Sequence, residues 1–389
     1  MIVVYILIGV LVFGILIASH EFGHFITAKA CGVRVDEFSI GMGPAIWKKQ
    51  KGETLYALRW IPIGGYCAMA GEDTASEDPR AFTNQAPWKR VIILCAGAFM
   101  NFVFGVLVIF FIFLSYDGFY IPVLAGFMEG CPYESAEGLQ VGDRVWSIDG
   151  HRIYEVDEIG EYLSQGGDTY DIVLIRDGKK VVLDDFYMVR QVYDDSGKLY
   201  VVQRADYGAE DTTLEKMLEH ARESMQSISG VGKAYFGLRP GYGVEEATFG
   251  KKLEHTWDTS MYFTRVIWKG LRDLIRGDVE VEQLAGPVGI VEYMAETGEQ
   301  SESFEDALNR ILLLAAMIAI NLAIMNMLPI PALDGGRIFL LIVTVIIEAI
   351  TRKKLNPKYE GYIHLVGMVL LLGLMAFVMF NDISRIVTK

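Results

Sequence analysis

The sequence predicts a polytopic α-helical membrane protein with four transmembrane helices and a folded acidic region outside the membrane. Two observations carry this prediction: where the apolar residues sit, and how charge divides among the stretches between them. An uncharged run needs roughly 20 residues to cross about 30 Å of hydrocarbon as a helix. Four runs qualify, at 1–19, 91–116, 311–333 and 362–380, the last broken only by His364. A fifth, 338–347, is too short to span and predicts an interfacial or re-entrant helix.

Charge then orients the spans, because Lys and Arg in short loops mark the cytoplasmic side. Residues 29–90 hold nine basic and seven acidic side chains, and 335–361 hold five and two. Residues 117–305 hold eighteen and thirty-six. The first two segments are expected inside, the long acidic one outside, and both termini outside. The first run lacks a basic n-region and an A-x-A-like cleavage site, so it reads as a retained span.

Composition narrows the function. At 389 residues, 52% hydrophobic and 22% charged, the chain has room for two or three domains and is too apolar to be wholly soluble. A formal charge of -14 excludes the basic field that nonspecific nucleic-acid binding requires. Cys31, Cys67, Cys95 and Cys131 form no CxxC pair, which leaves out a thiolate zinc knuckle and a disulfide scaffold.

The first run leads into Ala18-Ser19-His20-Glu21-Phe22-Gly23-His24, an HExxH pattern. On a helix, residues i and i+4 share a face, so His20 and His24 can grip one metal. A catalytic zinc takes three protein ligands and keeps a position open, and Glu21 is placed as the base that takes a proton from water. The candidate third ligand is Asp334, in Asn326-Met327-Leu328-Pro329-Ile330-Pro331-Ala332-Leu333-Asp334-Gly335-Gly336. Two prolines remove backbone donors and the glycine pair permits a bend, so this stretch is expected to unwind where it lines a cavity. His151, His220, His255 and His364 lack ligand spacing and read as surface or packing residues.

HExxH in the first span together with N-x-x-P-x-P-x-L-D-G near a later one resembles the site-2 protease family of intramembrane zinc metalloproteases, of the bacterial regulator-of-sigma-E protease type. The resemblance covers most of the chain. It implies one zinc per chain held by His20, His24 and Asp334, with Glu21 activating water. Gly41-Met42-Gly43-Pro44 and the alternating stretch from Tyr56 to Tyr66 resemble the family's membrane-re-entrant β element, here at 38–70, with Gly64 and Gly65 in its substrate-binding part. From alternation alone, an ordinary cytoplasmic hairpin fits equally. Asn321 and Asn326 match family asparagines near the active site, where an amide serves either as substrate or oxyanion contact or as an interhelical hydrogen bond. The second span reads Ala96-Gly97-Ala98-Phe99-Met100-Asn101 where many members have Gly-Pro before the Asn, so a proline kink is not expected there and Asn101 is read either as a packing residue or as one that supports the site from behind its ligands.

Outside the membrane, Gly130-Cys131-Pro132, Val141-Gly142-Asp143-Arg144-Val145 and Ile148-Asp149-Gly150 resemble an α+β PDZ domain of the bacterial protease type, placed at 118–190. Whether it captures peptide or excludes bulky substrates stays open. A linker follows at 191–305, with helical spacing at 213–227, no assigned role for 206–247, and an amphipathic helix at 249–275 expected at the membrane interface. Residues 284–290 resemble the family segment before the third span. The membrane core is thus split into 1–116 and 306–389.

The resemblance implies a zinc-dependent endopeptidase of the bacterial inner membrane that cleaves transmembrane segments of single-pass proteins in regulated intramembrane proteolysis. Its partners are those substrates and the lipid bilayer. Two other classes remain: an intramembrane metal transporter, which gives Glu21 no role, and a catalytically silent membrane scaffold built on the PDZ domain.

Overall fold

The computed structural model describes residues 2–72, 76–128, 131, 133–188, 191–193, 199–200, 233–278, 286–352 and 358–388. The helices are α1 (Ile2–Ala30), α2 (Pro87–Phe113), α3 (Val156–Gln165), α4 (Phe249–Arg276), α5 (Pro287–Glu299), α6 (Phe304–Asn326), α7 (Asp334–Thr351) and α8 (Lys358–Thr388). The strands are β1 (Val35–Lys51), β2 (Thr54–Met69), β3 (Gly118–Phe127), β4 (Arg144–Ile148), β5 (His151–Arg152), β6 (Thr169–Arg176), β7 (Lys179–Tyr187), β8 (Gln191–Tyr193), β9 (Leu199–Tyr200), β10 (Lys233–Tyr235) and β11 (Leu238–Glu246). They form two compact units, Met1–Ser115 with Lys252–Lys389, and Tyr116–Lys251.

In the first unit, four helices among the described residues are long and apolar enough to cross a membrane: Val3–Ala30, Pro87–Phe113, Phe304–Asn326 and Gly361–Ser384. Two of these starts have a local cause. Pro87 supplies a preset φ at the head of α2. Ser303 caps α6 by accepting from Asp306 N at 3.1 Å, with Glu305 and Asp306 complementing the helix dipole. Buried Tyr5, Leu16, Met294, Ala307, Ile311 and Ala319 knit α1, α5 and α6 into one core. Gly105 lets α2 cross α6 closely: a Cβ there would lie 2.9 Å from Ala316 O.

The third apolar run does not continue to Leu333. Helix α6 stops at Asn326, Met327 to Leu333 is non-helical, and α7 resumes at Asp334. Pro329 and Pro331 account for the break. The run at 338–347, expected as an interfacial or re-entrant helix too short to span, is the middle of the 18-residue α7, which is not among the candidate spans. Helix α4 is amphipathic, as its sequence leads one to expect. Lys252 Nζ donates to Leu114 O beyond the end of α2 at 2.7 Å. Trp268, about 24 Å further along α4, lines an apolar cavity of about 370 Å³ with Cys95, Phe102 and Ile324. The hydroxyls of Thr256, Ser260 and Thr264 each return to the carbonyl four residues earlier, at 2.7, 2.7 and 2.9 Å, which leaves this face without open hydrogen-bonding groups.

Strands β1 and β2 are long and sharply bent and pair along three stretches: 35–40 antiparallel with 65–69, 37–40 in parallel register with 55–58, and 47–51 antiparallel with 54–58. Residues 35–40 of β1 lie between 55–58 and 65–69 of β2, while 47–51 pairs outside 54–58. Gly41 and Gly43, at φ of +84° and +85°, make the bend in β1.

In the second unit, an antiparallel sheet of order β11-β3-β4-β6-β7, with β5 against β4, packs with α3 around Leu124, Val145, Ile148, Ile159, Tyr170 and Leu174. A small sheet has the order β10-β8-β9. The unit extends past the expected end at residue 190, because β11 pairs with β3 along 238–246. Local patterning does not reveal a partner more than 100 residues away in sequence. The helical spacing at 213–227 and His220 lie outside the described residues. His151 stacks on Tyr162 with ring centroids 4.7 Å apart, a packing role.

The Asp143 carboxylate, almost fully buried, accepts from Arg176 at 2.7 and 2.8 Å and from Gln140 N at 2.8 Å. Asp143→Ala is expected to destabilise this unit by about 2 kcal/mol, because it leaves Arg176 with only the Gly138 carbonyl and Gln140 N without its acceptor. Denaturant unfolding, followed by protease cutting within 116–251 of the full chain, measures it.

Candidate active site

The HExxH stretch lies inside continuous α1, so the α-helical repeat alone sets His20 above His24. Asp334 arrives from the other half of the chain as the first residue of α7, directly after the non-helical stretch. Gly335 and Gly336 permit this close turn, since a Cβ on Gly335 would crowd the Met327 and Leu328 carbonyls and one on Gly336 the Ile330 carbonyl.

Three donor atoms converge. His20 Nε2 and His24 Nε2 are 3.1 Å apart, and Asp334 Oδ2 is 3.2 Å from the first and 3.3 Å from the second. His24 Nδ1 donates to Ile93 O at 2.9 Å, which places its proton on Nδ1 and leaves the Nε2 lone pair facing the other donors. Asp334 Oδ2 is buried and accepts no hydrogen bond.

A carboxylate oxygen facing imidazole lone pairs is repulsive unless a cation stands among them. Zinc–ligand bonds of about 2.0–2.2 Å on a tetrahedron separate the donors by about 3.3–3.6 Å, close to the edges of this triangle. The residues fit a metal of that kind, and this is the one His/Cys/Asp/Glu group of such geometry among the described residues.

Helix α2 makes room for the triad. A Cβ on Gly97 would stand 2.7 Å from Cε1 of both His20 and His24, and one on Gly23 of α1 would lie 2.9 Å from Met100 Cβ. Sequence reading did not single out Gly97; its only signal was a glycine inside an apolar run. One turn on, Asn101 is buried with Oδ1 lacking a hydrogen-bond partner, so it presents an open acceptor rather than a satisfied packing contact.

Glu21 points toward the sheet. Its Cγ lies 3.4 Å from where a Cβ on Gly65 would stand, with Ile17 beside it at 3.6 Å. Gly64, at φ +96°, takes a conformation that favours glycine. Residues 65–69 pair with β1 on one side, and nothing pairs with their other edge among the described residues. The structure thus brings Gly65 to the expected base. Asn321 and Asn326 are half-buried on α6 and, five apart, sit about 140° from one another around it. Neither amide makes a hydrogen bond among the described residues, so the structure does not join them to the triad.

Residues 8–374 match Peptidase family M50. The chain belongs to that family. Three relatives carry the name "Putative zinc metalloprotease". The one from Clostridium perfringens is 30% identical over 97% of this chain and 98% of its own. That from Campylobacter jejuni is 31% identical over 97% and 93%. That from Helicobacter pylori is 30% identical over 98% and 99%. Membership in this peptidase family, the site-2 protease family, gives the convergent donors a hydrolytic context.

Gly97→Val is expected to push the two imidazoles off the metal position and drop zinc from about one per chain to a small fraction, as measured by elemental analysis of purified protein.

Proposed function

We propose that this chain is a zinc endopeptidase of the bacterial inner membrane that cuts a transmembrane segment of single-pass proteins. The observation that carries the reading is the triangle of His20, His24 and Asp334 donors, with the two histidines and Glu21 on a helix long and apolar enough to cross a bilayer. Bound zinc supplies Lewis acidity, bringing the pKa of water toward about 7 and polarising a carbonyl. Glu21 accepts the proton of the attacking water and returns it to the leaving amine as the C–N bond breaks and a C–O bond forms. The Ile93 carbonyl holds His24 in the tautomer that ligates. Asn101, Asn321 and Asn326 are the amides available to the substrate backbone or carbonyl.

A peptide bond inside a helix is shielded by its own turn, so the substrate must unwind and find replacement hydrogen bonds. The open edge of 65–69 offers them beside Glu21. Met42, Ile46, Trp47, Trp60 and Ile61 on the same sheet are exposed, which favours a membrane-dipping element over a cytoplasmic hairpin. We assign the Tyr116–Lys251 unit a PDZ-type role toward the substrate's outer end, by capture or by size exclusion. Cleavage of this kind is the step that regulated intramembrane proteolysis requires.

The test is a single-pass reporter in liposomes with zinc counted per chain. Glu21→Gln is expected to keep zinc and lose cleavage by at least about a hundredfold, whereas His20→Ala and Asp334→Ala lose both. Full cleavage by Glu21→Gln, or metal flux that survives it, would overturn the reading in favour of a transporter or a scaffold.

A further inference from the structure

Selecting one scissile bond requires the strand that aligns the substrate and the metal that cuts it to be held at a fixed offset. The strand, His20, Glu21 and His24 belong to the first half of the chain, whereas the third donor, Asp334, arrives from the second. One junction is local, Gly65 against Glu21 and Ile17. The other is an ion pair between Glu72, three residues past the end of β2, and Arg337, three residues past Asp334, spanning 265 positions of sequence.

The surroundings of this pair are ordered. Ala70 N donates to Arg34 O at 2.9 Å and Phe82 N to Ala70 O at 2.8 Å, pinning the strand's exit. Arg337 N donates to Leu333 O at 3.1 Å, fixing the first turn of α7. Ile338, next to Arg337, packs on the core cluster that holds Cys67, Met69 and Phe82. Both charged side chains are half-buried, at 17% and 30% exposure, where water and salt screen them less than at an open surface.

We propose that Glu72 and Arg337 form a clamp that sets the register of the substrate strand against the metal, and so determine which peptide bond is cut. They are positioning residues: neither takes part in the chemistry. The inference rests on the edge-strand reading given above. A strand advances about 3.3 Å per residue with side chains alternating, so the slip that keeps the same side chains facing inward is two residues. Loosening the clamp therefore has a defined signature, a second product displaced by two residues.

The experiment maps reporter products by mass spectrometry, with zinc counted in the same samples, for the unchanged chain, Glu72→Gln, Arg337→Gln and the exchanged pair Glu72→Arg with Arg337→Glu. The unchanged chain is expected to cut one dominant bond. Each single variant should keep about one zinc and raise the displaced product about fivefold, and the exchanged pair should restore the single bond. An unchanged product pattern with zinc retained in both single variants overturns the clamp, as does loss of zinc in them, which would make the pair a support for Asp334 only. No cleavage by the unchanged chain would instead overturn the proposed protease reading itself.

Discussion

Three potential donor atoms within 3.1–3.3 Å of one another, two of them on a helix apolar enough to cross a membrane, are the constraint on which the rest of the membrane unit depends. Taking two imidazoles and a carboxylate away from water is costly, and a cation held among them offsets that cost. Bringing the donors together also demands close backbone approaches. Gly97 and Gly23 let α2 lie against the ligand face of α1, and Gly335 and Gly336 fold Asp334 back onto the carbonyls that precede it. Each of these glycines is required by distance rather than by flexibility.

The same constraint explains why a sheet stands beside a helical bundle. Zinc chemistry needs an exposed carbonyl, and a transmembrane helix presents none until it unwinds. An unpaired strand edge is a hazard in a soluble protein because it invites pairing. Beside Glu21, that property becomes the means of holding an unwound substrate. The hub of the sheet is Arg59, which donates to Ser39 Oγ at 2.8 Å, Gly43 O at 2.6 Å, Glu37 Oε1 at 2.6 Å and Tyr66 Oη at 2.8 Å. One side chain thereby ties the bend of β1 to the edge strand, and its paired charges let a polar group sit in an element with an apolar tip.

Much of the site was legible because its determinants are local. Helical spacing predicts that His20 and His24 share a face, and Pro329, Pro331 and the Gly335-Gly336 pair predict the break that the structure shows at Met327 to Leu333. Four apolar runs predict four long apolar helices. What escaped depends on contacts distant in sequence. The pairing of β11 with β3 and the Glu72–Arg337 junction are set by partners that no local pattern names. Hydroxyls at 256, 260 and 264 look polar in sequence, yet each is satisfied by its own helix. Asn321 and Asn326 were matched by motif, and a spacing of five residues already separates them around the helix.

The fourth span shows how little need hold a helix in such a bundle. Between apolar helices, lipid competes on equal terms with protein, so attachment falls to close contacts and polar pairs. Helix α8 has both kinds among the described residues. Gly367 lies against Pro331, where a Cβ would stand 2.9 Å from the Pro331 carbonyl oxygen. Fifteen residues on, the buried Asp382 carboxylate accepts from Gly289 N at 2.9 Å and Gly286 N at 3.3 Å at the head of α5, satisfying donors that a helix start leaves open. Most of the described surface of α8 between these points is exposed. Pro331 sits three residues before Asp334, so the fourth span packs directly on the segment that delivers the third ligand.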